Sequence, residues 1–136
     1  MYSSISTPLD STALEANFQA QQSGLPEYIL QSTIAYIHEH LDQELRLAGI
    51  AKVAGISQYY FARLFKQSTG IAPHQYVIQQ RVKRAKQLLE QRGLQIADIA
   101  LECGFTSQSQ LNKHFRVLTG TTPKAYRKQR DLSKIK

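Results

Sequence analysis

The chain has a single cysteine, Cys103, among its 136 residues. That excludes a disulfide framework and fits a reducing compartment. Runs of apolar residues stop at four or five, far short of the ~20 that a helix needs to cross a bilayer. The first 45 residues contain no Lys or Arg and open on no apolar stretch, so a secretory leader is not expected. Sustained period-two alternation is also missing, which argues against strands and for an all-α fold.

What remains is a chain that is 42% hydrophobic, enough for a packed core in one domain or two very small ones. Its charge is sharply divided. Residues 1–45 hold six acids and no base, a net −6, whereas residues 46–136 hold all 17 Lys and Arg and four acids, a net +13. A segment this basic is expected to meet a polyanion.

Residues 1–25 are rich in Ser, Thr and Gln and read as a tail or linker, with room for a short helix near 12–22. Leu30, Ile34, Ile37 and Leu41 then recur at helical spacing, which predicts a helix over 27–41. Further helices are expected at 47–54, ended by Gly55, at 57–69, capped by Ser57 and stopped by Gly70, and at 73–91, opened by Pro73 and closed by Arg92-Gly93. Three more follow at 96–103, 107–119 and 123–130, with Gly104, Gly120 and Pro123 as punctuation. The helix at 47–54 starts poorly: Arg46 is no N-cap and Gly49 lies inside.

One segment occurs twice. SQYYFARLFKQSTGIAP (57–73) and SQSQLNKHFRVLTGTTP (107–123) share Ser57/Ser107, Gln58/Gln108, Phe65/Phe115, Thr69/Thr119, Gly70/Gly120 and Pro73/Pro123, and Tyr76/Tyr126 follow. Upstream, Ile50-Ala51 pairs with Ile99-Ala100 and Gly55 with Gly104, so the second turn holds one extra residue. Each copy runs short helix, Gly-containing turn, longer helix, the order of a helix-turn-helix.

At about 100° per residue, Phe61, Leu64 and Phe65 form the buried face of the first longer helix, with Tyr59, Ala62, Arg63 and Lys66 roughly 100–200° from Phe61. In the second copy Leu111, Phe115 and Leu118 are the expected core face, and Ser109, Asn112, Lys113 and Arg116 the opposite stripe. A DNA major groove about 12 Å wide admits one helix. Arg63 suits bidentate contact with guanine, Lys113 suits single contact with guanine acceptors, and Gln108 and Asn112 can pair with adenine. Tyr59 and Ala62 offer apolar contact to a thymine methyl, and Lys66 and Arg116 suit phosphate. A connector over 73–91 would be roughly 28 Å long, close to the ~34 Å between successive major grooves. The shared residues are then scaffold and the differing ones readers of two half-sites. Together they predict an asymmetric site of about 15–20 base pairs, open to a monomer, with some DNA bending.

The strings IAKVAGISQYYFARLFKQSTG, YVIQQRVKRAKQLL and IADIALECGFTSQSQLNKHFRVLTGTTPKAYR resemble the AraC/XylS family of bacterial transcription regulators, in its DNA-binding domain, over about residues 27–130. The resemblance implies a first helix-turn-helix subdomain over 27–72, a linker helix over 73–92 and a second subdomain over 93–131, after a tail over 1–26. It implies control of transcription initiation on double-stranded DNA, usually activation through RNA polymerase, in the cytoplasm at the nucleoid. It also implies base contacts from Tyr59, Ala62, Arg63, Gln108, Ser109, Asn112 and Lys113. Backbone contacts fall to Ser57, Tyr60, Lys66, Ser107, Gln110, Arg116 and Arg127. His114 aligns with Leu64 and is expected to be partly buried and hydrogen-bonded.

Neither cofactor nor metal is expected, since His38 and His40 are not spaced to converge on one ion. Cys103, just before Gly104-Phe105, reads as a small core residue. On the linker helix, Val82, Ala85 and Leu89 mark an apolar face expected to pack between the lobes, while Lys83, Arg84 and Lys86 either touch DNA or stay solvated. Other readings are a DNA-binding fragment of a longer ligand-sensing regulator, or a helical adaptor whose basic face meets an acidic protein. A catalytic role finds little support.

Overall fold

The computed structural model describes residues 24–135. Among the described residues there are seven helices and no strand. They are α1 (Glu27–Glu39), α2 (Leu47–Ala54), α3 (Gln58–Thr69), α4 (Pro73–Leu89), α5 (Ile96–Glu102), α6 (Gln108–Thr119) and α7 (Pro123–Ile135). The all-α class expected from the sequence is observed. The helix expected near 12–22 lies outside the described residues. The last helix runs past 130 to Ile135, since no Gly or Pro follows to stop it.

The chain divides into two compact units. The first holds α1, α2, α3 and the start of α4 through Tyr76. The second holds His40–Glu44 and everything from Val77 onward. In the first, α2 packs on α1 and on α3; in the second, α6 packs on α5 and on α7.

The two copies are built alike. Ser57 and Ser107 take extended N-cap conformations, and their hydroxyls accept the N–H of Tyr60 (3.3 Å) and Gln110 (3.2 Å), satisfying otherwise orphaned donors. At the far end, Gly70 and Gly120 sit at positive φ, and their N–H groups return to the carbonyls of Lys66 and Arg116. The hydroxyls of Thr69 and Thr119 lie 2.9 and 2.7 Å from the carbonyl oxygens of Phe65 and Phe115. Each also accepts an N–H two residues on, from Ile71 or Thr121. Phe65 and Phe115 are fully buried, and each meets a closing tyrosine edge-on: Tyr76 at 5.5 Å and 72°, Tyr126 at 5.5 Å and 73°. The residues shared by the two segments are thus cap, core and stop. The short helices α2 and α5 begin at Arg46 and Gln95, neither of which makes a side-chain cap.

Two expectations about packing, the inner face of α1 and the place of Leu118, need correction. The buried face of α1 is Ile29, Thr33 and Ile37, with Leu41 beyond its end, while Leu30 and Ile34 are only half-buried. Thr33 turns inward because its hydroxyl bonds back to the carbonyl of Leu30 at 2.9 Å, so no unpaired polar atom is buried. Val82, Ala85 and Leu89 are buried. They belong to the core of the second unit, with Ile99, Ala100, Cys103, Phe105, Leu111 and Phe115. Leu118, expected in that core, is 44% exposed.

Cys103 is fully buried, and burial pushes its thiol up to about 11, with the nearby Arg84 and Arg81 pulling the other way. The reactive thiolate is therefore scarce as well as hidden. At pH 8 a thiol reagent is expected to modify Cys103 only as the second unit opens. Labelling measured across a urea series should rise in step with the loss of helical circular dichroism. Labelling in native buffer as fast as in urea would contradict the packing described.

Candidate nucleic-acid interface

The scaffold fixes which way the remaining side chains of α3 and α6 point. With Phe61, Leu64 and Phe65 buried, the opposite side of α3 presents Tyr59 (68% exposed), exposed Arg63 and Lys66, and half-buried Ala62. Tyr60 is half-buried and meets Tyr59 edge-to-face, with centroids 5.3 Å apart and planes at 81°. On α6, Leu111 and Phe115 point inward. Gln108, Ser109, Lys113 and Arg116 are exposed, and Asn112 is half-buried. Neither helix carries an acid, and none occurs between Glu44 and Glu90. Each unit therefore shows one helical surface of hydrogen-bonding and cationic groups with no carboxylate of its own to neutralise it.

Several residues expected at this surface also have structural work. Ser57 and Ser107 are exposed and spend one lone pair on the caps described above. The Gln110 side-chain oxygen accepts the N–H of Thr106 at 3.3 Å, completing a reciprocal arrangement close to a capping box. Its amide nitrogen remains on the exposed side chain. His114 is half-buried and stacks on Phe105, with centroids 5.7 Å apart and planes at 20°.

Arg127 differs most from its expected role as a phosphate contact. Its guanidinium donates to the carbonyls of Leu89 (3.0 Å), Leu94 (2.7 Å) and Gln91 (3.3 Å), occupying three of its five N–H groups. It ties down the end of α4, where carbonyls lack helical partners. Arg81 does the same for α1. Its Nε donates to Leu41 at 3.0 Å and its terminal nitrogen to Gln43 at 2.7 Å. All the acceptors but Leu94 come from matching tripeptides, Leu41-Asp42-Gln43 and Leu89-Glu90-Gln91. That second, shorter repeat is the signal in the sequence for both ties.

Among the described residues, no group of three or more His, Cys, Asp or Glu side chains is placed to hold a metal ion, and no helix is long and apolar enough to cross a membrane.

Comparison with known proteins bears on this surface. Residues 50–129 match the model of a helix-turn-helix domain family. The chain is 42% identical over 91 residues to the "Probable transcriptional regulator LumQ" of Photobacterium leiognathi, covering 67% of this chain and 37% of that protein. It is 36% identical over 99 residues to the "Regulatory protein SoxS" of Escherichia coli K12, covering 73% and 92%. The chain thus spans about two fifths of the first of these relatives and nearly all of the second. Among solved structures, an AraC-type regulator from Chromobacterium violaceum superposes with a TM-score of 0.71 at 33% identity, over 76% of this chain and 93% of that one. The DNA-binding domain of AdpA, solved with a target DNA, superposes with a TM-score of 0.70 at 38% identity, over 74% and 90%.

Proposed function

The chain belongs to the AraC/XylS family of helix-turn-helix DNA-binding transcription regulators, and from that membership we propose that it reads one asymmetric duplex site with α3 and α6 in adjacent major grooves. The observation that carries this reading is the doubled scaffold. Two helices share cap, core and stop residues, yet present different polar stripes. The subdomains are 27–72 and 93–131, with 73–92 as connector. Tyr59, Ala62, Arg63, Gln108, Ser109, Asn112 and Lys113 face bases, while Ser57, Tyr60, Lys66, Ser107, Gln110 and Arg116 face the sugar-phosphate backbone. Arg127 is set aside from that second group because it ties the end of α4. The regulator acts in the bacterial cytoplasm, at the nucleoid, as an activator that contacts RNA polymerase. Support for DNA as partner comes from AdpA, whose homologous domain was solved on its target.

Selection from a random duplex pool, followed by fluorescence anisotropy, tests the reading. The selected site is expected to be asymmetric, about 15–20 base pairs long, and preferred about 10³-fold or more over other duplexes. Arg63→Ala should lose about 1–3 kcal/mol and relax preference at one base pair, whereas Lys66→Ala should weaken all sequences alike and lower the salt slope by about one. Identical sequence profiles and salt slopes for the two variants would overturn the assigned roles. A protein that enriches no sequence would leave the adaptor reading instead.

A further inference from the structure

The two copies differ at one place that DNA reading does not use. In the first unit the chain entering α1 crosses the C-terminal end of α3. Leu25 is buried there, only 5% exposed, and its N–H donates to the Ser68 hydroxyl at 2.8 Å. Gly24 lies so close that a Cβ on it would run into that same hydroxyl and stand 3.5 Å from the Leu64 carbonyl oxygen. In the second unit the position matching Ser68 is Leu118. Leu118 is left 44% exposed. Beside it runs an open groove of about 620 Å³, with Val82, Lys83, Lys86, Leu118 and Tyr126 among its walls.

We propose that this groove is a docking site for an extended acidic peptide from a protein partner, which places a leucine-sized side chain against Leu118 and Val82. The first unit supplies the template, because there a buried Leu in a non-helical stretch lies at the equivalent helix end, its N–H bonded to Ser68. Charge supplies the second argument. The one acid lining the groove, Glu90, is engaged by Arg130 at 3.2 Å and by the Tyr126 hydroxyl at 3.3 Å. Exposed Lys83 and half-buried Lys86 line the same groove and remain to receive carboxylates. A phosphate backbone would use the two lysines but has nothing to place on Leu118. That apolar wall favours a peptide over DNA.

The test uses the full chain and a fluorescein-labelled peptide, acetyl-EEGLPEE-amide, built on the Gly24–Glu27 stretch. Saturable anisotropy is expected, with affinity falling about tenfold or more in Leu118→Glu, in Lys83→Glu/Lys86→Glu, and when the peptide leucine becomes serine. Circular dichroism melts establish that the variants stay folded, and the lysine pair provides a variant outside the core. Absence of saturable binding by folded protein would overturn the proposal, as would equal affinity for Leu118→Glu. It would also fail if duplex DNA displaced the peptide while the lysine variant lost duplex affinity and Leu118→Glu left peptide binding unchanged. The groove would then be a phosphate surface.

Discussion

Gly104→Ala is expected to destabilise the second unit by about 3–5 kcal/mol, the sum of backbone strain and lost charge-assisted hydrogen bonds. Gly104 has φ 92°, a region that side chains with a Cβ enter at a cost of roughly 1–2 kcal/mol. The larger part comes from what surrounds it. A Cβ there would collide with the Leu41 carbonyl oxygen and stand 2.6 Å from Arg81 Nε. Those are the two atoms joined by the tie at the end of α1. Arg81 is partly buried, and burial lowers its pKa from the usual arginine value, so a displaced guanidinium also loses compensation for its desolvation. Gly120→Ala is the control. Its φ is 81°, yet a Cβ would meet nothing within 4 Å, so only the backbone cost applies. Urea denaturation of the two variants, followed by far-UV circular dichroism, should separate them by at least about 1 kcal/mol. Equal midpoints and slopes would mean that the close approach to Leu41 and Arg81 costs nothing.

Phe115→Ala is expected to cost about 3–5 kcal/mol, since it removes a buried ring and leaves a cavity that rigid helices cannot collapse into. The ring is fully buried among Ile99, Ala100, Leu111 and the other core residues of the second unit, and it supports Tyr126. Its loss is large against the 5–15 kcal/mol that holds a typical domain together. A ligand that binds only the folded form restores stability by mass action. The selected duplex should therefore raise the melting temperature of Phe115→Ala in proportion to its concentration above the dissociation constant. Failure of saturating duplex to shift that midpoint would argue that the second unit takes no part in binding. Phe65→Ala probes the first unit in the same way.

Helix positions were legible because their boundaries are local chemistry. Ser57, Ser107, Gly70, Gly120, Pro73 and Pro123 act within a turn of where they stand. The outward stripe on α3 was legible for the same reason: once Phe61 and Phe65 are core, helical geometry dictates where Tyr59, Arg63 and Lys66 point. What was not legible was anything set by partners far along the chain. An arginine that caps a distant helix looks the same in sequence as one that grips a phosphate, and nothing local to Arg127 announces its bonds to Leu89, Gln91 and Leu94. Leu118 has the spacing of a core residue, but it stands in the last turn of α6, where the matching Ser68 of α3 is exposed too. Thr33 is not legible as a core residue because its polarity hides a methyl face that becomes buriable once the hydroxyl bonds to its own helix.

The arginine ties have a kinetic consequence. Those of Arg81 join residues 40 and 38 apart, and those of Arg127 join residues 38, 33 and 36 apart, whereas each serine cap spans three. Helical turns form locally in about 0.1–1 μs, whereas these bonds lock only once α4 or α7 has packed beside the chain segment that it clasps. Bonds made after the rate-limiting barrier barely alter how fast a chain reaches its native state, but they set how long it stays there. Arg81 and Arg127 are accordingly latches: their removal should shorten the lifetime of the folded protein while leaving its speed of formation nearly untouched.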